Sequence, residues 1–188
     1  MKKTIGIYIF IFLFSILFTG CLGYKLRTYK IEFTGKTSGR ITITYENISS
    51  YHFDSTLTIA EALKTDYNEL ISSYLEGDMI EQEYPDAKFV SKNLYEKNNE
   101  LWGEIVFEFN KLSEVYLFQY DKHSPFISSY SDDYYSSNGE VIFKDSTLIA
   151  WGNNLKILEL SVLYENVGGS DTISLLNTWK QNNFDYKK

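Results

Sequence analysis

At 188 residues the chain has the length of one domain plus a targeting segment, and its 44% hydrophobic and 23% charged content is ordinary globular usage. A formal net charge of −7, with Arg27 and Arg40 the only arginines, leaves no electrostatic footprint for a phosphate backbone and argues against nucleic acid. Aromatic residues are abundant, with 16 Tyr and 13 Phe. The chain is also rich in Lys and Asn and poor in Ala and Pro. AT-rich codon usage therefore accounts for the tyrosines as simply as an aromatic-lined binding surface does.

Met1-Lys2-Lys3 supplies a short positive n-region, followed by the uncharged run Thr4 to Thr19, dominated by Ile, Phe and Leu. Small residues ahead of a cleavage point let the backbone seat in a signal peptidase, and Thr19-Gly20 stand immediately before Cys21, the only cysteine. The stretch Leu17-Phe18-Thr19-Gly20-Cys21 resembles a bacterial lipobox, which implies lipid on the Cys21 thiol and removal of residues 1–20. Phe18 departs from the usual aliphatic residue three places before the cysteine. An uncleaved transmembrane helix over Ile5 to Leu22 is the alternative. In either case the remainder lies across the membrane from the cytoplasm by the positive-inside rule. Acylation of Cys21 leaves no thiol for a disulfide.

Residues 21–188 read as a single exported α+β domain. Tyr29, Ile31 and Phe33, then Ile41, Ile43 and Tyr45, alternate with polar residues around a Gly35-to-Gly39 turn, which predicts a hairpin starting close to Cys21. Leu63, Tyr67, Leu70, Ile71, Tyr74 and Leu75 fall on one helical face, with Thr58 and Glu61 at capping-box spacing and Gly77 or Pro85 as the limit. A second hairpin is predicted from Phe89–Tyr95 and Leu101–Phe109 about Lys97-Asn98-Asn99. Asn110 opens a short helical turn in the ambiguous stretch before Tyr120. Residues 124–139, rich in Ser, Tyr and Asp, read as a long loop of functional interest. Strands are predicted at Val141–Phe143, Leu148–Trp151 and Leu155–Tyr164. A terminal helix is predicted with Ser170 as N-cap and Ile173, Leu176 and Trp179 on one face. Clustered hairpins favour an antiparallel sheet with one long amphipathic helix packed on a face and a short C-terminal helix.

Few residues carry reactive chemistry. His52 and His123 lack metal-ligand spacing, and no metal or other cofactor is expected. Asp121, Asp132 and Asp133 are oxygen-rich but without EF-hand order, which reads as solvated loop acids. Glu104 and Glu108 share a strand face with backbones roughly 13 Å apart, beyond the ~5–9.5 Å of glycosidase pairs. Gly168-Gly169-Ser170-Asp171 reads as a turn and cap in preference to an anion site. No G-x-S-x-G elbow is present, although His123-Ser124 with nearby carboxylates leaves an envelope hydrolase as the alternative function.

With the elements placed, Gly20-Cys21-Leu22 running into a strand, the Ser38-Gly39 hairpin, the helix, and the hairpin Leu94-Tyr95 with Leu101-Trp102-Gly103-Glu104-Ile105-Val106-Phe107-Glu108-Phe109 resemble the LppM-like lipoprotein domains of bacterial envelopes. The resemblance covers about residues 20–165 by order of elements and implies a non-catalytic envelope protein that handles lipid or another apolar ligand. The expected function is a membrane-anchored lipoprotein with a binding or assembly domain, whose partner is an apolar ligand or another envelope protein. The candidate contacts are Trp102, Phe126, Tyr130, Tyr134, Tyr135 and Trp151. Leu22 after the cysteine, and no acidic run beyond it, predict an outer-membrane, periplasm-facing position in a two-membraned cell and the outside of the cytoplasmic membrane in a one-membraned cell.

Overall fold

The computed structural model describes residues 22–51, 58–130, 133–143, 148–164 and 172–185. The apolar N-terminal run, Cys21, His52, Asp132 and the Gly168–Asp171 cap lie outside the described residues. Every strand pairing among the described residues is antiparallel.

The first predicted hairpin is formed by β2 (Leu26–Phe33) and β3 (Gly39–Glu46), with Tyr29 opposite Ile43 and Ile31 opposite Ile41. The second is formed by β5 (Lys88–Lys97) and β6 (Glu100–Phe109). Its connection is the two-residue turn Asn98-Asn99, with φ of 54° and 61°. Two positive φ values match the twist of the flanking strands, and asparagine tolerates that region better than a branched residue does. The hairpins join through β3 and β6, placing Ile43 beside Ile105 and Ile41 beside Phe107. Strands β11 (Ile157–Leu163) and β8 (Asp133–Ser137) complete a six-stranded sheet of order β5-β6-β3-β2-β11-β8.

Period-two alternation assigns one face of this sheet to the core. Ile41, Ile43, Phe107, Phe109, Leu158, Leu160 and Val162 are fully buried on it. Thr28, Thr42, Thr44, Lys30 and Arg40 lie at the alternate positions and stay partly or fully exposed. A bulge between Phe89 and Ser91 shifts β5 by one residue, so Lys92 instead of Ser91 stands beside Ile105.

Two separate covers close the apolar face. One is a three-stranded sheet of β7 (Phe126–Ser129), β10 (Leu148–Trp151) and β9 (Glu140–Phe143), whose Phe126, Ile149 and Trp151 pack on the main core. The other is helix α1 (Ile59–Glu69), which widens into a π-helical turn over Leu70–Leu75. The Thr58 hydroxyl and the Glu61 carboxylate cap its N-terminus reciprocally, as the spacing predicts. Tyr67 and Leu70 join Ile48, Leu101, Leu175 and Leu176 in a second cluster. A small sheet of β1 (Leu22–Gly23), β4 (Ser49–Tyr51) and β12 (Thr172–Ser174) borders that cluster, and α2 (Leu176–Asp185) ends the described chain. Buried Ser50 donates from its hydroxyl to buried Asp66, tying β4 to α1.

The α+β class therefore holds, with more sheet than expected. Three expectations are corrected. The described strands form three sheets instead of one. Residues 124–139 are not one long loop, because β7 and β8 occupy most of them. Two of their serines bond backbone carbonyls: Ser128 bonds that of Tyr116 at 2.8 Å and Ser137 that of Glu159 at 2.7 Å. Ile173 lies in β12, and the Ser174 hydroxyl accepts the Leu176 N–H, so the terminal helix starts later than its apolar spacing suggests.

Phe107→Ala, which empties the centre of the main core, should lower the unfolding free energy by about 3–5 kcal/mol. Loss of the cap in Thr58→Ala should cost about 1 kcal/mol. Urea titrations of the two variants should separate them in that order.

Candidate functional site

The two hydrophobic clusters meet at a seam, and the seam is not filled. Tyr45 and Tyr74 pack against both clusters. Between them opens a cleft of about 100 Å³, lined by sheet residues such as Leu94 and Ile105, by Leu70 and Leu75 of the helical cover, and by Ile80 beyond it. Leu70, Tyr74 and Leu75 all belong to the π turn, whose i→i+5 bonding puts more residues in each turn and ends the regular stripe of α1 where the cleft begins.

Gly103 forms part of the sheet wall. A Cβ there would come within 3.0 Å of the Ile48 δ-methyl and 3.5 Å of Leu94, so any larger residue intrudes on the cleft. Leu22, Gly23 and Tyr24 supply another side. A Cβ on Gly23 would overlap the Tyr51 ring, which presses on the chain at this point. Tyr24 packs on Tyr45 and Tyr164 with centroids 5.0 and 4.9 Å away, and the Tyr51 hydroxyl donates to the Tyr24 carbonyl at 3.3 Å. The chain thus enters the domain through a collar of four tyrosines directly beside the cleft.

The cations at the site are engaged, whereas the second carboxylate oxygen of Glu81 is buried without a hydrogen-bond partner. The Lys92 ammonium, on the core side of the bulged strand, bonds Glu81 at 2.5 Å and the Gly77 carbonyl. The Arg27 guanidinium lies 5.6 Å from the Tyr24 centroid and 5.2 Å from that of Tyr29, and hydrogen-bonds Tyr45. Burial pushes the Tyr45 phenol up to about 12 against the lowering pull of Arg27. Burial likewise raises Tyr29, Tyr84 and Tyr130.

The six aromatic residues predicted as contacts do not form one surface. Phe126 stacks on Phe33 at 4.8 Å, and both Phe126 and Trp151 are core residues, the latter 1% exposed. Tyr130 packs half-buried against Tyr29 at 4.8 Å, and Tyr134 is also half-buried against the core. Trp102 lies on the opposite sheet face from Ile105, with the Lys97 ammonium 3.8 Å from its ring centroid and its indole N–H donating to Glu100. Of the six, Tyr135 alone is well exposed. A ridge of exposed rings not singled out from the sequence is Tyr116, Phe118 and Tyr120, alternating with buried Leu117 and half-buried Gln119.

Reactive candidates remain separate as well. His123 is exposed. The Asp121 carboxylate accepts the His123 and Ser124 backbone N–H groups and the Ser124 hydroxyl, each at 2.9 Å, and these bonds hold its pKa below the usual range. Its lone pairs thus serve a turn. Glu108 pairs with Arg40 and Lys88 at 3.2 and 3.1 Å and does not converge with Glu104. No group of three His, Cys, Asp or Glu side chains among the described residues is arranged to hold a metal, and no helix among them is long and apolar enough to cross a membrane.

Compared with known proteins, the chain matches no family model, no curated protein and no solved structure.

A phenol raised to about 12 when folded and near 10 when unfolded keeps its proton longer in the native state. Stability from this difference is complete below pH 10 and is lost as pH climbs through 12. Alkaline unfolding followed by circular dichroism should therefore steepen between pH 10 and 12. Tyr45→Phe, lacking the proton, should flatten that part of the curve.

Proposed function

We propose that the chain is a membrane-anchored bacterial lipoprotein, carrying lipid on Cys21, whose exported domain is a non-catalytic binding or assembly module. The observation that carries this reading is the position of the cleft. The domain's apolar opening is lined by Leu22, the residue next to the proposed anchor. One residue spans only about 3.8 Å, so the anchor would hold this opening at the membrane surface.

Size favours assembly over carriage. Small-molecule sites occupy roughly 300–1,000 Å³, whereas this cleft offers about 100 Å³. A bilayer acyl tail would also gain little by entering it, because lipid hydrocarbon is as apolar as leucine. The resemblance of the sequence to LppM-like domains motivates the same reading. The hydrolase alternative has less support, since Asp121 is committed to its own turn. The location we propose is the periplasmic face of the outer membrane in a two-membraned cell, or the outer face of the single membrane otherwise.

Mass spectrometry of the protein purified from cell membranes tests the anchor. The native chain should begin at Cys21 with a diacylglycerol-sized addition, and Cys21→Ala should retain residues 1–20 without lipid. A native protein that keeps residues 1–20 would overturn the lipoprotein reading in favour of the transmembrane alternative.

A further inference from the structure

We infer that the cleft beside Leu22 is a socket for one large apolar side chain presented on a basic peptide segment of a membrane-proximal protein. The inference rests on the reading of this cleft as the binding site and names the chemistry of its partner.

Volume sets the first requirement. A dry cavity of about 150 Å³ holds a benzene ring, so about 100 Å³ holds roughly four carbons, the size of a leucine or isoleucine side chain. Its floor of Leu70, Ile80, Leu94 and Ile105 offers such a side chain dispersion contacts and removal from water. Such a gain exists for a side chain arriving from water and not for a lipid tail arriving from hydrocarbon. A single apolar anchor in a well-packed, desolvated pocket is how protein interfaces concentrate their binding energy.

Charge sets the second. Leu75 and Ile80 both line the cleft, and residues 76–79, which join these two lining residues, are here termed its lip. Glu76, Asp78 and Met79 on that lip are exposed, as is Glu83 just beyond it. Lys92, the cation lining the cleft, is drawn inward to Glu81 and the Gly77 carbonyl, leaving the lip acidic toward solvent. The chain as a whole is acidic, at −7. Lysine or arginine flanking the inserted side chain complements this lip, speeds encounter and disfavours acidic competitors. Exposed Met79 in the same segment offers an adaptable apolar surface.

The test uses the full acylated protein in neutral detergent micelles and the fluorescently labelled peptide Lys-Lys-Leu-Lys-Lys, read by anisotropy. Saturable binding is expected. Replacing the peptide leucine by alanine should weaken it at least about tenfold. Gly103→Val, which fills the socket, should do the same. Because that variant could fail to fold, the exposed double change Glu76→Lys and Asp78→Lys provides an independent arm, expected to weaken binding several-fold and to reduce its salt dependence. Equal binding of the alanine peptide, or of a peptide with glutamates for lysines, would overturn the proposal. So would full displacement of the bound peptide by palmitate at stoichiometric concentration, which would make the cleft a lipid site. An absence of binding by a protein whose Cys21 is lipidated sinks the socket and leaves the anchored-lipoprotein reading standing.

Discussion

The domain depends on covering one apolar face of a six-stranded sheet without a disulfide. Cys21 is the only cysteine, so no internal cross-link is available. Ile41, Ile43 and Phe107 on the adjacent strands β3 and β6, with Leu160 on β11, are fully buried on that face, and their burial supplies the cooperative core. A twisted sheet of this width is not covered by a single helix, so two unlike covers share the task. The small sheet carrying Phe126, Ile149 and Trp151 closes one region, and α1 with its π turn closes another. Unlike covers meet imperfectly, and the cleft between Tyr45 and Tyr74 is where they do so.

That packing seam gains its interest from the path of the chain. Gly23 passes under the Tyr51 ring, and Tyr24 is held between Tyr45 and Tyr164. Side chains with apolar bodies and polar tips suit a boundary between protein, water and headgroups. The collar removes slack between the first described residue and the sheet, so any anchor at the preceding residue would orient the domain and its cleft together. The chain path and one wall of the cleft are thus set by the same short stretch, Leu22 to Tyr24.

The amphipathic elements were legible in the sequence because each has a strong local cause. Alternation specified β2, β3 and β11, the Asn98-Asn99 pair specified the tight turn of the second hairpin, and the Thr58–Glu61 spacing specified the start of α1. The stretch from Phe126 to Ser137 misled because serine and aspartate suggest loops, while here the Ser128 and Ser137 hydroxyls bond the Tyr116 and Glu159 carbonyls. Tyrosine, which favours strands, was the better local guide. The contact candidates failed as a group for a different reason. Aromaticity alone does not separate a core ring such as Trp151 from an exposed one such as Tyr135. The cleft was hidden because its walls come from residues near positions 22, 45, 70, 80, 94 and 103, and only the β3–β6 pairing and the π turn bring them together. The one local hint was Lys92, a charge in the midst of a strand with apolar neighbours at Phe89, Val90 and Leu94.

Lys92 also explains why the seam stays open. The bulge at Phe89–Ser91 turns a residue with a long charged side chain toward the core side, where a leucine would have filled the gap. Its ammonium reaches across to Glu81 and the Gly77 carbonyl, with side chains only 11% and 22% exposed for the ion pair. A buried pair of this kind adds little net stability over apolar packing, because desolvation offsets much of the attraction. Its effect is geometric. It pins the segment after the π turn at a fixed distance from the sheet, so the cleft neither collapses into the core nor opens freely to solvent. A core built only for stability would place an apolar residue at position 92, and the lysine acts instead as a spacer between the sheet and the segment after the π turn.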